Sequence, residues 1–308
     1  MKTFLSWVVY GLLWPISILP LRVLYLFSRL IFFFIYRIFP YRKSVIFINL
    51  ARSFPEKKYP ELQKIARQFY HYFTDIMMET IWLATASKKA RMQRFRMTNP
   101  EVLNELYQKG RSVMLLMGHH GNWELISTVA TYSGTGDIAY PAEKVGLIYK
   151  APENPIMDKV FIYMRNNYKG GHLLESKQAA RFMVSHKGDP RVYVFIADQS
   201  PLPGARFCVD FLHQPTLMVN GPELLSRKTD LAVVYVKMLM EKRGHYVATF
   251  QTICESPLGL PDGEITKKFA ELLEQNIIEQ PHIWLWSHKR WKRGLEEMKS
   301  KEGAKLDG

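Results

Sequence analysis

Two cysteines in 308 residues, Cys208 and Cys254, are too few and too far apart for a disulfide framework. Both are expected as reduced, buried thiols of a protein in a reducing compartment, with no nucleophilic role. The G-x-S-x-G elbow of serine hydrolases is missing. So is H-E-x-x-H in either direction, and with it the commonest zinc hydrolase signature. Acidic residues are in deficit, 28 against 42 Lys and Arg, leaving a net charge of +14. That balance favours anionic partners: nucleic acid, anionic lipid or an acidic soluble carrier. The zinc and interleaved aromatic–basic motifs of nucleic-acid modules are lacking, so no nucleic-acid partner is expected. No internal repeat is present.

Long charge-free runs are rare except at the N-terminus. Phe4 to Leu21 is 18 residues without a charge, roughly 27 Å as a helix, the lower limit for a membrane span. Pro15 and Pro20 would kink such a helix. A further apolar stretch follows, with Arg22, Arg29 and Arg37 seven or eight residues apart. A cleaved signal peptide fits poorly, because no small-residue cleavage site follows and more charge lies behind the run than before it. A membrane anchor is expected over residues 1–40, either spanning or lying in the interface with Trp7 and Trp14. If it spans, Arg37, Arg42 and Lys43 against Lys2 alone place the bulk of the chain in the cytoplasm.

Residues 41–295 are expected as one α/β domain and 296–308 as a charged flexible tail. Helical spacing of Leu62, Ile65, Phe69, Phe73 and Ile76 marks a long helix. From residue 111 strands and helices alternate. SVMLLMG, RVYVFIADQ, LAVVYVKMLM and HYVATFQTI read as strands. NWELISTVATYSG (ending at Gly134), PIMDKVFIYMRNNYKGG (with a glycine stop), KQAARFMVSHKG, MVNGPELLSRKT and GEITKKFAELLEQNIIEQ read as helices. The order implies a mostly parallel central sheet flanked by helices on both faces.

In such sheets ligands sit beyond the carboxyl ends of strands. SVMLLMG delivers His119 to such an end, followed by His120, Asn122 and Glu124. If a helix opens at Gly121 or Asn122, Glu124 lies in its first turn and can fold back on His119. A carboxylate on one ring N–H fixes the tautomer and leaves the other nitrogen as a base. Backbone N–H groups at the helix start suit a developing oxyanion. The plain alternative is that both histidines only fill or cap a loop. Zinc is disfavoured by the spacing and by the divergence of adjacent side chains.

MGHHGNWEL resembles the catalytic block of the lipid A biosynthesis (lauroyl/myristoyl) acyltransferases, within the glycerolipid acyltransferases. NLARSFPEK, IYKAPENPIMDKVFIYMRNNYKGG, FIADQSP with MVNGPELLSRKT, and WLWSHKRWK resemble further blocks of that family, in order along nearly the whole chain. The resemblance implies transfer of a fatty acyl chain from acyl carrier protein, or a coenzyme A thioester, to a hydroxyl of a lipid A precursor. It implies an inner-membrane protein facing the cytoplasm. It implies no metal or organic cofactor, because the carrier supplies the activated thioester. His119 would be the general base, oriented by Glu124. Asn122 would cap the helix or donate to the thioester oxygen. Arg165 would bind phosphate or steady the oxyanion, with Lys150 and Lys144 as weaker phosphate ligands. Asp198, at a strand end, is either a site carboxylate or a turn former. WLWSHKRW is either an edge strand or a band meeting anionic headgroups, with Trp284 and Trp286 packed inside. Where the family often has Phe-Gly, this chain has Phe211-Leu212-His213, which leaves detail of the acyl or acceptor pocket open; His213 is expected in a loop. The rival within enzymes is transfer to another lipid: an aminoacyl lipid, a lysophospholipid or a glycosylated phosphoinositide. A tethered nucleic-acid binder leaves His119 and Glu124 unexplained.

Overall fold

All five residues of Val113–Met117 are buried, and they alternate between two cores. Met114 and Leu116 enter one apolar cluster, and Val113, Leu115 and Met117 enter the other. A strand apolar on both faces must lie inside a sheet covered on both sides. The computed structural model describes residues 2–133, 135–152, 154–166, 171–202 and 204–292. The expected tail and the glycine stops at Gly134 and Gly170 lie outside the described residues.

Helices α1 (Lys2–Ser17) and α2 (Leu21–Phe33, continued by a π-turn over Phe34–Ile38) open the chain, followed by α3 (Lys43–Ser53), α4 (Tyr59–Leu83) and α5 (Lys88–Met92). Strand β1 (Phe95–Met97) and α6 (Glu101–Gln108) lead to β2 (Val113–Met117). A 3-10 turn at Trp123–Thr128 precedes α7 (Val129–Tyr132), β3 (Val145–Tyr149), α8 (Pro155–Asn166), β4 (His172–Glu175), α9 (Ser176–Ser185) and β5 (Val192–Ile196). The hairpin β6 (Cys208–Phe211) and β7 (Gln214–Leu217), α10 (Gly221–Thr229), the hairpin β8 (Ala232–Lys242) and β9 (His245–Cys254), and α11 (Glu264–Glu279) complete the order.

Seven strands form one sheet in the order β1-β9-β8-β2-β5-β3-β4. The β8–β9 pair is antiparallel and every other pair in this sheet is parallel. The expected mostly parallel sheet flanked by helices is therefore the observed one. Helix α11 lays Ile265, Phe269, Leu273 and Ile277, one stripe at four-residue spacing, against one face. The stretch expected as a single helix from Asn122 to Gly134 is instead a 3-10 turn and one turn of α-helix. Ser127 Oγ donates to the Glu124 carbonyl at 2.7 Å, a three-residue closure that suits the tighter winding.

The apolar N-terminal run breaks where Pro20 precedes α2; Pro15 lies inside α1 without ending it. Between the two arms, Phe4–Ser17 and Leu21–Ile38, the chain bends by 116°. Among the described residues no single helix is long and apolar enough to cross a membrane. Both arms leave large apolar side chains exposed, including Phe4, Trp7 and Leu12 on one and Leu26, Leu30 and Phe33 on the other. Trp7, half exposed, stacks one ring face on Tyr163 of α8 (ring centroids 4.4 Å apart), and α2 buries Leu21 and Leu24 with Met78 of α4. The thiols are outside any disulfide, as expected, but depart from expectation in burial: Cys208 is exposed and Cys254 half-buried. Cys208 lies on the β6–β7 hairpin, which is separate from the seven-stranded sheet.

Candidate active site

Met117 of β2 pairs with Ile196 of β5, so the two strands end side by side. Two residues further on, one presents His119 and the other Asp198. The His119 backbone N–H donates to Asp198 Oδ2 at 2.7 Å, and its ring Nδ1 lies 2.5 Å from Asp198 Oδ1. Trp284 Nε1 donates to the same Oδ2 at 2.7 Å. Burial alone would raise the Asp198 carboxyl. The His119 ring beside it and the converging N–H donors outweigh that and hold it at about 2. A carboxylate only accepts, so Nδ1 carries the imidazole proton and Nε2 is left as the acceptor. Nε2 lies on the cavity side, where the Gln199 amide donates to it at 3.2 Å.

Glycine at 118 is set by this contact. A Cβ there would lie 2.6 Å from Leu273 Cδ1 and 2.9 Å from Asp198 Oδ2. Gly118→Ala is expected to cost about 1–3 kcal/mol by overpacking and to push the carboxylate off the ring. A melting-point drop together with a loss of activity would register both. Gly121 has φ +67° and no room for a Cβ beside Met238.

The spacing of His119 and Glu124 suggested that they touch. They do not pair. Glu124 meets Arg165 of α8 through two bonds, Nη2 to Oε1 at 2.6 Å and Nε to Oε2 at 3.1 Å. The 3-10 winding places Glu124 on the cavity wall towards α8, and the carboxylate that meets the histidine ring is that of Asp198. Asp198 is accordingly no wall of the cavity but lies buried behind His119. Asn122, expected in one of two roles, is seen as the cap. It is fully buried, its Oδ1 accepts from the N–H groups of Glu124 (3.1 Å) and Leu125 (3.3 Å), and its amide N–H is taken by Glu79. His120 points the other way, with ring nitrogens 2.9 Å and 3.0 Å from the carbonyls of Met238 and Gln280.

A cavity of about 240 Å³ opens on His119. Glu124, Lys150 and Arg165 give it a charged side, and Ile126, Leu147, Val194 and Ile196 an aliphatic one. Lys144 is not part of it; Asp189 holds it at 2.5 Å. His213 sits with Leu212 in the two-residue turn between β6 and β7, both at positive φ. Leu212 occupies the left-handed position that glycine would take without strain, and it is not part of the cavity wall.

Sequence reasoning missed what holds this arrangement. The segment from Ile283 to His288 is neither an edge strand nor a surface band but a buried strap. The Leu285 N–H donates to the His119 carbonyl at 3.1 Å, and the Gly121 N–H to that of Ile283 at 3.0 Å. The Ser200 N–H donates to His288 Nε2 at 3.0 Å; burial pushes that imidazole down to about 4 and keeps it an acceptor. Asn49 Nδ2 clamps the strap at the carbonyls of Trp286 (2.9 Å) and His288 (3.0 Å). The signal was present in the apolar run WLW, whose Trp284 and Trp286 are buried as expected. Gln199 stood next to Asp198 without a role assigned to it.

The sequence profile of a family described as bacterial lipid A biosynthesis acyltransferase matches residues 1–293. The chain is 22% identical over 305 residues to the lipid A biosynthesis lauroyltransferase of Escherichia coli (strain K12), covering 97% of this chain and 95% of that one. It is 21% identical over 296 residues to the lipid A biosynthesis palmitoleoyltransferase of the same organism, covering 94% and 92%. Among solved structures, it aligns with the 1-acyl-sn-glycerophosphate acyltransferase PlsC of Thermotoga maritima at a TM-score of 0.38 and 14% identity, over 86% of this chain and 99% of that one.

Proposed function

We propose, on the premise that this chain belongs to the bacterial lipid A biosynthesis acyltransferase family and is an acyltransferase, that it moves a fatty acyl chain from acyl carrier protein to a hydroxyl of a lipid A precursor. The observation that carries the mechanism is the His119 ring, protonated at Nδ1 against buried Asp198 and open at Nε2 on a cavity that is charged on one side and aliphatic on the other.

The acceptor hydroxyl takes the place of the Gln199 amide at Nε2. His119 removes its proton as the oxygen attacks the thioester carbonyl. The imidazolium that forms is stabilised by Asp198. Collapse of the tetrahedral intermediate breaks the carbon–sulfur bond, and the proton passes to the departing thiolate, giving ester and free thiol. The aliphatic side suits the acyl chain. The Glu124–Arg165 pair and Lys150 suit the polar, phosphorylated parts of donor and acceptor, with the guanidinium fork held in place by the carboxylate. The bent N-terminal helices lie with their exposed apolar faces in the cytoplasmic leaflet of the inner membrane, and the surplus of cations favours an anionic lipid surface and an acidic carrier. A coenzyme A thioester is the alternative donor.

The test is transfer in isolated membranes. A labelled acyl chain, carried as a thioester on acyl carrier protein or on coenzyme A, is supplied with an under-acylated lipid A precursor, and the lipid is weighed by mass spectrometry. The expected product is heavier by one acyl chain, formed faster from the carrier protein. Transfer to a lysophospholipid, an aminoacyl lipid or a glycosylated phosphoinositide instead would overturn the acceptor, and transfer from coenzyme A alone the donor.

A further inference from the structure

One carboxylate close behind the site has no part in that chemistry. Glu79 of α4 is 2% exposed. Three donors converge on it: the Tyr25 hydroxyl of α2 on Oε1 at 2.8 Å, and on Oε2 the Asn122 amide at 2.6 Å and the Tyr246 hydroxyl of β9 at 3.0 Å. Burial pushes this carboxyl up to about 7 although all three donors pull it down. An apolar side chain would fill such a place without that cost.

The two ends of an Asn side chain have nearly the same shape, so packing alone does not choose between its two orientations. Polarity does. Glu79 offers an acceptor, which turns the Asn122 NH₂ towards α4 and its Oδ1 towards the chain. There Oδ1 receives the N–H groups of Glu124 and Leu125. A flipped amide would set an NH₂ against those two N–H groups and release the turn. That turn carries Trp123, whose ring meets the His119 ring edge-on with centroids 5.0 Å apart, and Glu124, which holds Arg165. We propose that Glu79 is a positioning residue for acyl transfer: by fixing the Asn122 amide it sets the turn that places Trp123 and Glu124 around His119. Tyr25 brings the N-terminal apolar helices into the same network. The proposal rests on the reading of His119 as the base.

The test is a reciprocal exchange in the full-length protein. Glu79→Leu keeps the bulk and removes the acceptor that the Asn122 NH₂ needs. Asn122→Asp alone sets two carboxylates together. In the double variant, Glu79→Gln with Asn122→Asp, the amide introduced at position 79 donates to the carboxylate introduced at position 122, whose other oxygen again caps Glu124 and Leu125. Each single variant is expected to lose tenfold or more in kcat, and the double variant to recover to within about threefold of the intact protein. Hydrogen exchange of the peptide spanning residues 122–128 is read in parallel. It is expected to quicken in both single variants and return to the intact rate in the double. A Glu79→Leu protein with unchanged exchange overturns the orienting role. Altered exchange with full transfer overturns the link to catalysis. If a single variant does not fold, the double is expected to recover both folding and transfer, and a double as defective as the singles overturns the proposal. Full transfer by His119→Ala would instead remove the reading of the base, while the exchange rates would still judge the Asn122 orientation by themselves.

Discussion

Alanine at His119 is expected to lower acyl transfer by roughly a thousandfold, within the hundred- to ten-thousandfold that a positioned general base contributes. Donor KM should change little. The imidazole Nε2 is the basic atom that opens on the cavity. The other polar groups there do not replace it: Lys150 and Arg165 are cations, the Gln199 amide is not basic, and Glu124 spends both oxygens on Arg165. The loss should therefore fall on kcat, because the ring is one wall among many and its removal leaves the aliphatic side intact. Single-turnover measurements at equal protein, with the melting temperature as a control for folding, check it. Activity within tenfold of the intact protein would remove His119 from the chemical step.

The central strand and its consequence were legible because local pattern sufficed. Val113–Met117 is apolar throughout and ends at Gly118, and an α/β order then puts His119 at a carboxyl end. The α11 stripe and the β8–β9 hairpin around EKRG read equally well, since helix period and turn residues are short-range signals. Strands β1, β3 and β4 did not separate from their surroundings. They are three to five residues long, β3 contains a glycine, and β4 runs straight into α9. The bend in the N-terminal run follows from Pro20, though its angle depends on where α2 finds Met78 to pack on. The partner of His119 was the hardest part. Asp198 is 79 residues away, and only the pairing of β2 with β5, which skips β3 and β4 in the chain, makes the two neighbours. A carboxylate five residues on invites the local choice. Whether Glu124 turns back depends on helix type, and the Ser127 closure that accompanies the 3-10 form is invisible to residue spacing.

Asp198 and Glu124 are consequently expected to fail in different ways. With Asp198→Asn the side chain can present its NH₂ to Nδ1, where the backbone N–H of His119 and the indole of Trp284 favour the amide oxygen at the other position. That geometry drives the imidazole proton to Nε2, the wrong tautomer for accepting a proton from the acceptor. The expected loss in kcat is a hundred- to ten-thousandfold, the scale on which tautomer control acts in histidine-based acyl transfer, with KM little changed. Acid does not imitate this variant. With its carboxyl held at about 2, Asp198 stays ionised throughout the ordinary working range. Its share of folding stability is present above the unfolded value near 4 and is lost only as pH falls through about 2. Glu124→Gln keeps one hydrogen bond to Arg165 but removes the charge that fixes the fork. Its expected signature is a tenfold or greater rise in KM for the polar substrate with kcat reduced less than tenfold. The reverse pattern, a collapse of kcat in Glu124→Gln and a mild effect in Asp198→Asn, would show that the five-residue spacing states the catalytic pair after all. Arg165→Lys separates the two cases independently. A lysine keeps the charge and loses the bidentate contact, so it should follow Glu124→Gln if the pair binds substrate, and leave transfer nearly intact if Glu124 turns to His119 during the reaction.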